Sequence, residues 1–482
     1  MPEVVRFPDI PLYQGWGVPH RAESEIRDLE VVHGEIPAAL NGTLYRCGPD
    51  RQYPPRTAQD VFIDGEGMVH MFRIADGRVD YRNRWVRNER FLLQEAARRS
   101  LFGRYRNRHT NDPSVAGRNM GTANTNVVFH GRRLLVLKED SRPMEVDPDT
   151  LATRGEFDFG GQLRSVSLTA HPKLDLHRNE LIAFSYQAQG DATRDIVIYI
   201  ADADGRIVHE IPFQMPYAGM VHDFAVTDSH IIVPFFPLIT DPEVIRAGGP
   251  YYQWHPDQPS FYAIMPRRGS PQQVRWFRGP TVSAGHMMNA FTQGDTVHLD
   301  LCLYAGNCFD FFPSHDGSPF KQAPPLLTRM SFNLATEEMH SRQLLGAPCE
   351  MPRIDDRWMG KPYRHGFVIC RAPDAVAGAV GMGAIGRFDH ETGALSTWSP
   401  GPDSGVQEPT FVPRAPGAAQ ADGYLLVLVN RLAQLRSDLA ILDAQRLESG
   451  PVALVRMPTR VRSTFHGMWV PEATFASGRY GV

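Results

Sequence analysis

Short apolar runs separated by turn residues dominate this chain. LLVLKE from Leu134, ELIAFSY from Glu180, DIVIYIA from Asp195, HIIVPFF from His230, TVHLDLCLY from Thr296 and YLLVLVN from Tyr424 have strand length and are rich in β-branched and aromatic residues. Between them recur turn segments such as ADGRVDY at Ala75, VDPDTLAT at Val146, ADADGRIVHE at Ala201, NLATEEMHS at Asn333 and FDHETGALSTW at Phe388. Each sets Asp or Asn and polar turn residues ahead of a new apolar run, the chemistry that tight hairpins require. Recurrence every few tens of residues predicts an all-β fold of repeated antiparallel sheets, and the β-propeller is the commonest large architecture of that kind. Helical periodicity is clear only over 88–105, where Phe91, Leu92, Ala96, Ala97 and Leu101 approximate one apolar face. The 39 prolines and 42 glycines are spread evenly. Residues 1–482 therefore read as one domain with many turns.

Composition narrows the function. A hydrophobic fraction of 42% and a charged fraction of 22% describe an ordinary globular chain. A net charge of −4 leaves no electrostatic footprint for nucleic acid. The N-terminal MPEVVRFPDIPLYQGW has neither a basic segment nor an apolar core of secretory type. Apolar runs fall short of a transmembrane span; the stretch 375–385 is short and glycine-rich. These features predict a cytoplasmic protein. Cys47, Cys302, Cys308, Cys349 and Cys370 form no CxxC pair and read as small buried hydrophobes.

Any metal must then be held by other residues. His171 (TAHPK), His222 (VHDFAV), His286 (AGHMMNAF) and His466 (TFHGMW) each sit beside strand-like apolar sequence. Glu139 (LLVLKED), Glu350 (CEMPRID) and Glu408 (QEPTFVPR) lie between or beside them. Imidazoles bind transition metals well, and a metal-bound histidine usually donates its other ring N–H to a carboxylate. No local spacing singles these residues out from the 18 histidines. His20, His33, His109, His130, His177, His255, His315, His340 and His390 stand in turn-like contexts and read as solvated.

The surrounding words resemble the carotenoid cleavage oxygenases, and among them the lignostilbene dioxygenases. EIPAALNGTLYRCGPD (35–50), DVFIDGEGMVHMF (60–72), TANTNVVFHGRRLLVLKEDSRPMEVDPDTL (122–151), SLTAHPKLD, YAGMVHDFAVT, EMPRID, EPTFVPR and FHGMW follow in family order. The resemblance implies a seven-bladed β-propeller carrying Fe(II) on its axis under a cap of loops and helices, the helix near 88–105 included. It implies His171, His222, His286 and His466 as iron ligands. Glu139, Glu350 and Glu408 would orient His222, His286 and His466 respectively, leaving His171 without a carboxylate. Four imidazoles on an octahedral ion leave two positions, enough for O₂ and one water but not for a chelating cosubstrate. Thr125 matches a position where the family sets a side chain near a vacant site; an ordinary strand threonine reads equally well.

The resemblance also implies a substrate class. The lignostilbene branch holds the 4-hydroxyl of a stilbene with a lysine and a cap-helix tyrosine, here Lys138 and Tyr105. On sequence alone Lys138 reads equally as a rim lysine reaching water. Phe62, or its neighbour Ile63, and Phe309 would sandwich the rings. The expected reaction is O₂-dependent cleavage of the central double bond of a phenolic stilbene into two aromatic aldehydes. An apocarotenoid or an isoeugenol-type phenylpropene is the alternative substrate. A non-catalytic propeller scaffold and an isomerohydrolase-like use of iron as a Lewis acid are the readings from other classes. The stretch 311–325 reads as a cap loop or as a homodimer contact.

Overall fold

The computed structural model describes residues 6–59, 61–371 and 382–481, so Asp60 and most of the glycine-rich stretch 375–385 lie outside it. Antiparallel strands make up nearly all of its regular structure. Four-stranded meanders succeed one another along the chain. Asn126–His130, Arg133–Leu137, Met144–Val146 and Thr153–Glu156 form one, and Lys173–Asp175, Glu180–Tyr186, Asp195–Ala201 and Ile207–Gln214 the next. Ala225–Val226, His230–Phe235, Ser260–Pro266 and Arg275–Gly279 follow. The long strand Met339–Ile354 then belongs to two meanders, pairing with Leu326–Asn333 through its first half and with His365–Cys370 through its second.

Apolar clusters lie between each sheet and the next. Ile182, Phe184 and Ile198 of one sheet pack with Ile231, Val233 and Ala263 of its successor. Both faces of a strand are covered in this way, and all nine residues of Gly42–Asp50 are buried. The two ends of the chain share sheets: Gly467–Pro471 pairs with Gly42–Asp50, and Val31–Gly34 pairs with Pro451–Arg456. Gly467 is required at the first of these junctions, since a Cβ there would lie 1.9 Å from the Tyr45 carbonyl oxygen.

Several sequence expectations are corrected. The helix spans Glu89–Ala97 instead of 88–105; Asn88 caps it by accepting the Phe91 N–H, and Arg98 ends it at φ 55°. Its inward face is Arg90, Phe91 and Gln94, while Leu92 is 48% exposed. Buried carboxylates explain the rotation, because Arg90 lies 3.0 Å from Asp64 and 3.1 Å from Glu66, and Gln94 donates to Glu66 at 2.8 Å. Tyr105 accordingly stands in a turn beyond the helix. His130 is buried, its Nε2 2.6 Å from the Asp202 carbonyl oxygen, and the His390 side chain is packed against Phe388 and Tyr363. The cysteines are free, Cys308 half-buried and the other four buried. Among the described residues no helix is long and apolar enough to cross a membrane.

Candidate metal centre

Four imidazoles from four segments meet at one place. His171 and His222 stand in loops, His286 on Ser283–Gln293 at an irregularity in its pairing, and His466 directly before Gly467–Pro471. Ring centroids lie 4.5 Å apart for His171–His222 and His171–His466, 4.8 Å for His286–His466, 5.3 Å for His171–His286 and 5.4 Å for His222–His286. The Nε2 atoms of His171 and His222 are 3.2 Å apart. Neighbouring nitrogens on one metal, each bonded at about 2.1 Å, sit roughly 3 Å apart. The donor set therefore suits a transition-metal ion.

Each glutamate meets one ring. Glu139 Oε2 lies 2.9 Å from His222 Nδ1, Glu350 Oε2 2.7 Å from His286 Nδ1, and Glu408 Oε1 2.8 Å from His466 Nδ1. Nδ1–H donation to a carboxylate leaves the Nε2 lone pair free for a metal. Gly285 makes room for this contact, because a Cβ there would lie 2.9 Å from Glu350 Oε1. His171 has no glutamate partner among the described residues; its backbone N–H donates to Thr169 Oγ1 at 3.0 Å. Thr125 is buried, donates its hydroxyl to Asn124 Oδ1 at 2.9 Å and accepts the His466 N–H on its carbonyl at 3.1 Å.

The three carboxylates are not equivalent. Arg46 Nη1 lies 2.6 Å from Glu408 and Arg353 Nη1 3.4 Å from it. Burial would raise the Glu408 carboxyl, but Arg353, His466 and Arg46 hold it well below the usual range. Its charge is thus shared, and burial lowers His466 to about 4 against the pull of Glu408. His286 behaves oppositely: burial disfavours its cation, yet Glu350, with Asp223 and Glu408 beyond, raises it. Burial and then the three neighbouring imidazoles push His171 well below its ordinary value. Sequence reasoning missed Arg46 and Arg353. The signal was there in Arg46, a cation within a wholly buried strand, which requires a carboxylate partner.

Lys138 follows the strand Arg133–Leu137 and is only 4% exposed, with its Nζ 5.3 Å from the centroid of the Tyr105 ring. Among the described residues no carboxylate lies within ion-pair distance of that ammonium, although it favours the charge on Asp140 and the buried Glu139, and the buried Tyr105 hydroxyl has no hydrogen-bond partner. Burial pushes the Tyr105 phenol well above its ordinary pKa. Phe309 stands 5.6 Å from the His222 ring and packs, with Ile63, against the apolar cluster that contains Tyr105 and Phe312. Phe62 instead meets Phe465 edge-on at 5.3 Å, with the Arg462 guanidinium 5.3 Å over its ring. A separate cavity of about 210 Å³ touches His171, His286 and His466; it is lined by Lys173, Asp223, Arg353 and Tyr480, and by none of Lys138, Tyr105, Phe62 or Phe309.

Residues 17–471 match the family described as retinal pigment epithelial membrane protein. The chain is 41% identical to isoeugenol monooxygenase of Pseudomonas nitroreducens over 96% of its length and 98% of that protein. It is 39% identical to lignostilbene-α,β-dioxygenase isozyme III of Sphingomonas paucimobilis, over 97% of this chain and 98% of that one. The chain belongs to the carotenoid cleavage oxygenase family. The crystal structure of Pseudomonas brassicacearum lignostilbene dioxygenase superposes with a TM-score of 0.94 at 43% identity, covering 97% of this chain and all of that one. As a carotenoid cleavage oxygenase the chain is an alkene-cleaving dioxygenase, and its histidine cluster suits the iron on which this family depends.

Proposed function

We propose that this enzyme cleaves the central C=C bond of 4-hydroxystilbenes with O₂, giving two aromatic aldehydes. The observation that carries this reading is the buried Lys138 ammonium over Tyr105, beside a phenol hydroxyl without a partner. The ammonium has no carboxylate at ion-pair distance among the described residues, Asp140 and Glu139 acting on it only from further off, so a ligand oxygen can complete its contacts. A substrate phenol does so, its oxygen receiving both the ammonium and the Tyr105 hydroxyl. Kept neutral by burial, Tyr105 donates a proton to a hydrogen bond without competing for the negative charge. The ammonium favours phenoxide over phenol, and phenoxide drives electron density along the conjugated system to the alkene. Phe309 and Ile63 flank the cluster where the rings would lie. His171, His222, His286 and His466 would hold Fe(II), which supplies binding and activation of O₂. Glu139, Glu350 and Glu408 orient three of these rings, and Thr125 holds the His466 backbone.

We further infer a single seven-bladed propeller domain. It is supported by apolar clusters between successive sheets, by a cluster joining Leu44 and Phe72 to Leu426 and Ile441, and by the sharing of sheets between the two chain ends. Packing of Phe311 and Phe312 with Tyr105 favours the cap-loop reading of 311–325. The free cysteines accord with a cytoplasmic setting.

A second reading, cleavage of isoeugenol-type phenylpropenes, is supported by the 41% identity to an isoeugenol monooxygenase and needs the same phenol contact. Turnover of a 4-hydroxystilbene, its 4-methoxy ether, isoeugenol and an apocarotenol, with ¹⁸O₂ incorporation measured in the products, tests both. Preference for the free stilbenol supports the proposal. Preference for isoeugenol moves the assignment to the phenylpropene, and indifference to the phenol refutes the role of Lys138.

A further inference from the structure

A second group of metal-ligating side chains lies away from the four-histidine centre. His255, Asp257 and His315 bring one ligand atom each to within 4.8 Å of one another. The two imidazoles stack with centroids 4.1 Å apart and planes 6° from parallel, and His315 Nε2 lies 3.1 Å from Asp257 Oδ1. Backbone bonds fix the segments that carry them. The His255 N–H donates to Pro237, the Trp254 N–H to Pro313 and the His315 N–H back to Trp254, all at 2.9 Å. Only side chains remain to be arranged.

We propose that His255, Asp257 and His315 form a second metal site, for a zinc-like divalent cation, and that the bound ion ties the Phe309-bearing loop to the 254–258 turn. Two imidazoles and one carboxylate with an open position suit such an ion. Ligands of one tetrahedral ion bonded at about 2.1 Å stand about 3.4 Å apart, so the three groups must draw in by at most about 1.4 Å. One ring must also turn out of the stack, because parallel rings do not aim their lone pairs at one point. Both movements are rotamer changes of side chains that are at least partly exposed. The charge around the site favours a cation: besides His315, the charged groups acting on His255 are Asp257, Asp241 and Asp316. Burial and then His315 lower the His255 pKa, leaving it in the neutral form that binds metal.

The consequence reaches the four-histidine centre. The Phe309 N–H donates to Asn307 Oδ1 at 3.0 Å, and Asn307 Nδ2 donates to the Phe312 carbonyl at 2.8 Å, folding 307–312 into one unit. Three residues on, His315 is the handle by which an ion would add to the backbone bonds that already join this loop to Trp254. The inference rests on none of the proposed substrate chemistry.

The test is zinc titration of the protein carrying its resident metal, by equilibrium dialysis with analysis of both metals. We expect one zinc per chain beyond the resident metal, bound at least tenfold more weakly by His315→Ala and by Asp257→Asn, with resident metal unchanged. We expect zinc to slow amide hydrogen exchange over 309–315 in the parent protein and not in His315→Ala. No additional zinc in the parent, or equal binding in both variants, overturns the site. Zinc binding with unchanged exchange overturns the tie.

Discussion

Lys138→Met keeps an apolar stem of similar volume and removes only the ammonium. An ammonium about 4 Å from a phenoxide gains roughly 4 kcal/mol at an effective dielectric of about 20. At 1.36 kcal/mol per unit, that lowers the phenol from its free value near 10 by up to about three units, and desolvation of the two charges takes back about one. Two units remain, so at fixed neutral pH the variant presents about 100-fold less phenoxide, and kcat/KM on a 4-hydroxystilbene falls about 100-fold. The assay is aldehyde formation across pH 6 to 10, where the rising limb of the variant moves up by about two units. The 4-methoxy ether has no proton to lose and discriminates charge from packing. Folding is followed in parallel: Lys138 also offsets the charge of Asp140 and the buried Glu139, so Met lowers Tm modestly, and the methoxy ether separates that loss from the loss of phenoxide. Unchanged kcat/KM at neutral pH, or equal losses on phenol and ether, refutes the reasoning.

Glu408→Gln leaves Arg46, only 1% exposed, against a neutral amide, and destabilises the fold by about 3–5 kcal/mol, read as a lowered denaturation midpoint. Glu139, whose hydrogen-bond partner among the described residues is His222 alone, behaves differently: Glu139→Gln lowers metal affinity by about 10–100-fold with little change in stability. Phe309→Ala removes the ring 5.6 Å from His222 and raises KM for stilbenes by roughly tenfold, measured by initial rates. Burial, opposed by Asp300, holds His390 at about 4 in the folded state. Between about pH 6.5 and 4 the unfolded chain takes up a proton that the folded chain refuses, so stability is full above 6.5 and falls through that window by up to about 3 kcal/mol. His390→Asn flattens the pH dependence of denaturant midpoints between pH 7 and 5.

Strand content was legible because alternation of apolar runs with Asp, Asn and Gly turns is a local property. Ile182, Ile198 and Ile231 are buried where their runs place them. The helix was misread because periodicity counts apolar residues, whereas the face of Glu89–Ala97 that packs inward carries Arg90 and Gln94 toward carboxylates supplied from elsewhere in the chain. The site histidines stand in loops or at an irregular strand position, and their convergence is a tertiary fact that no spacing encodes; only the family words around them pointed to them. His130 shows the converse, a turn-flanked histidine drawn inside by a carbonyl 72 residues away.

His466 lies near the C-terminus, on the segment that pairs with Gly42–Asp50. The nearest of the other three in sequence, His286, precedes it by 180 residues, so the fourth nitrogen reaches the centre only when Gly467–Pro471 has docked on Gly42–Asp50. Pairing of the two segments and completion of the four-nitrogen cradle are therefore coupled. A substitution that blocks this pairing, such as one placing a Cβ at Gly467, would impair metal retention without removing a ligand.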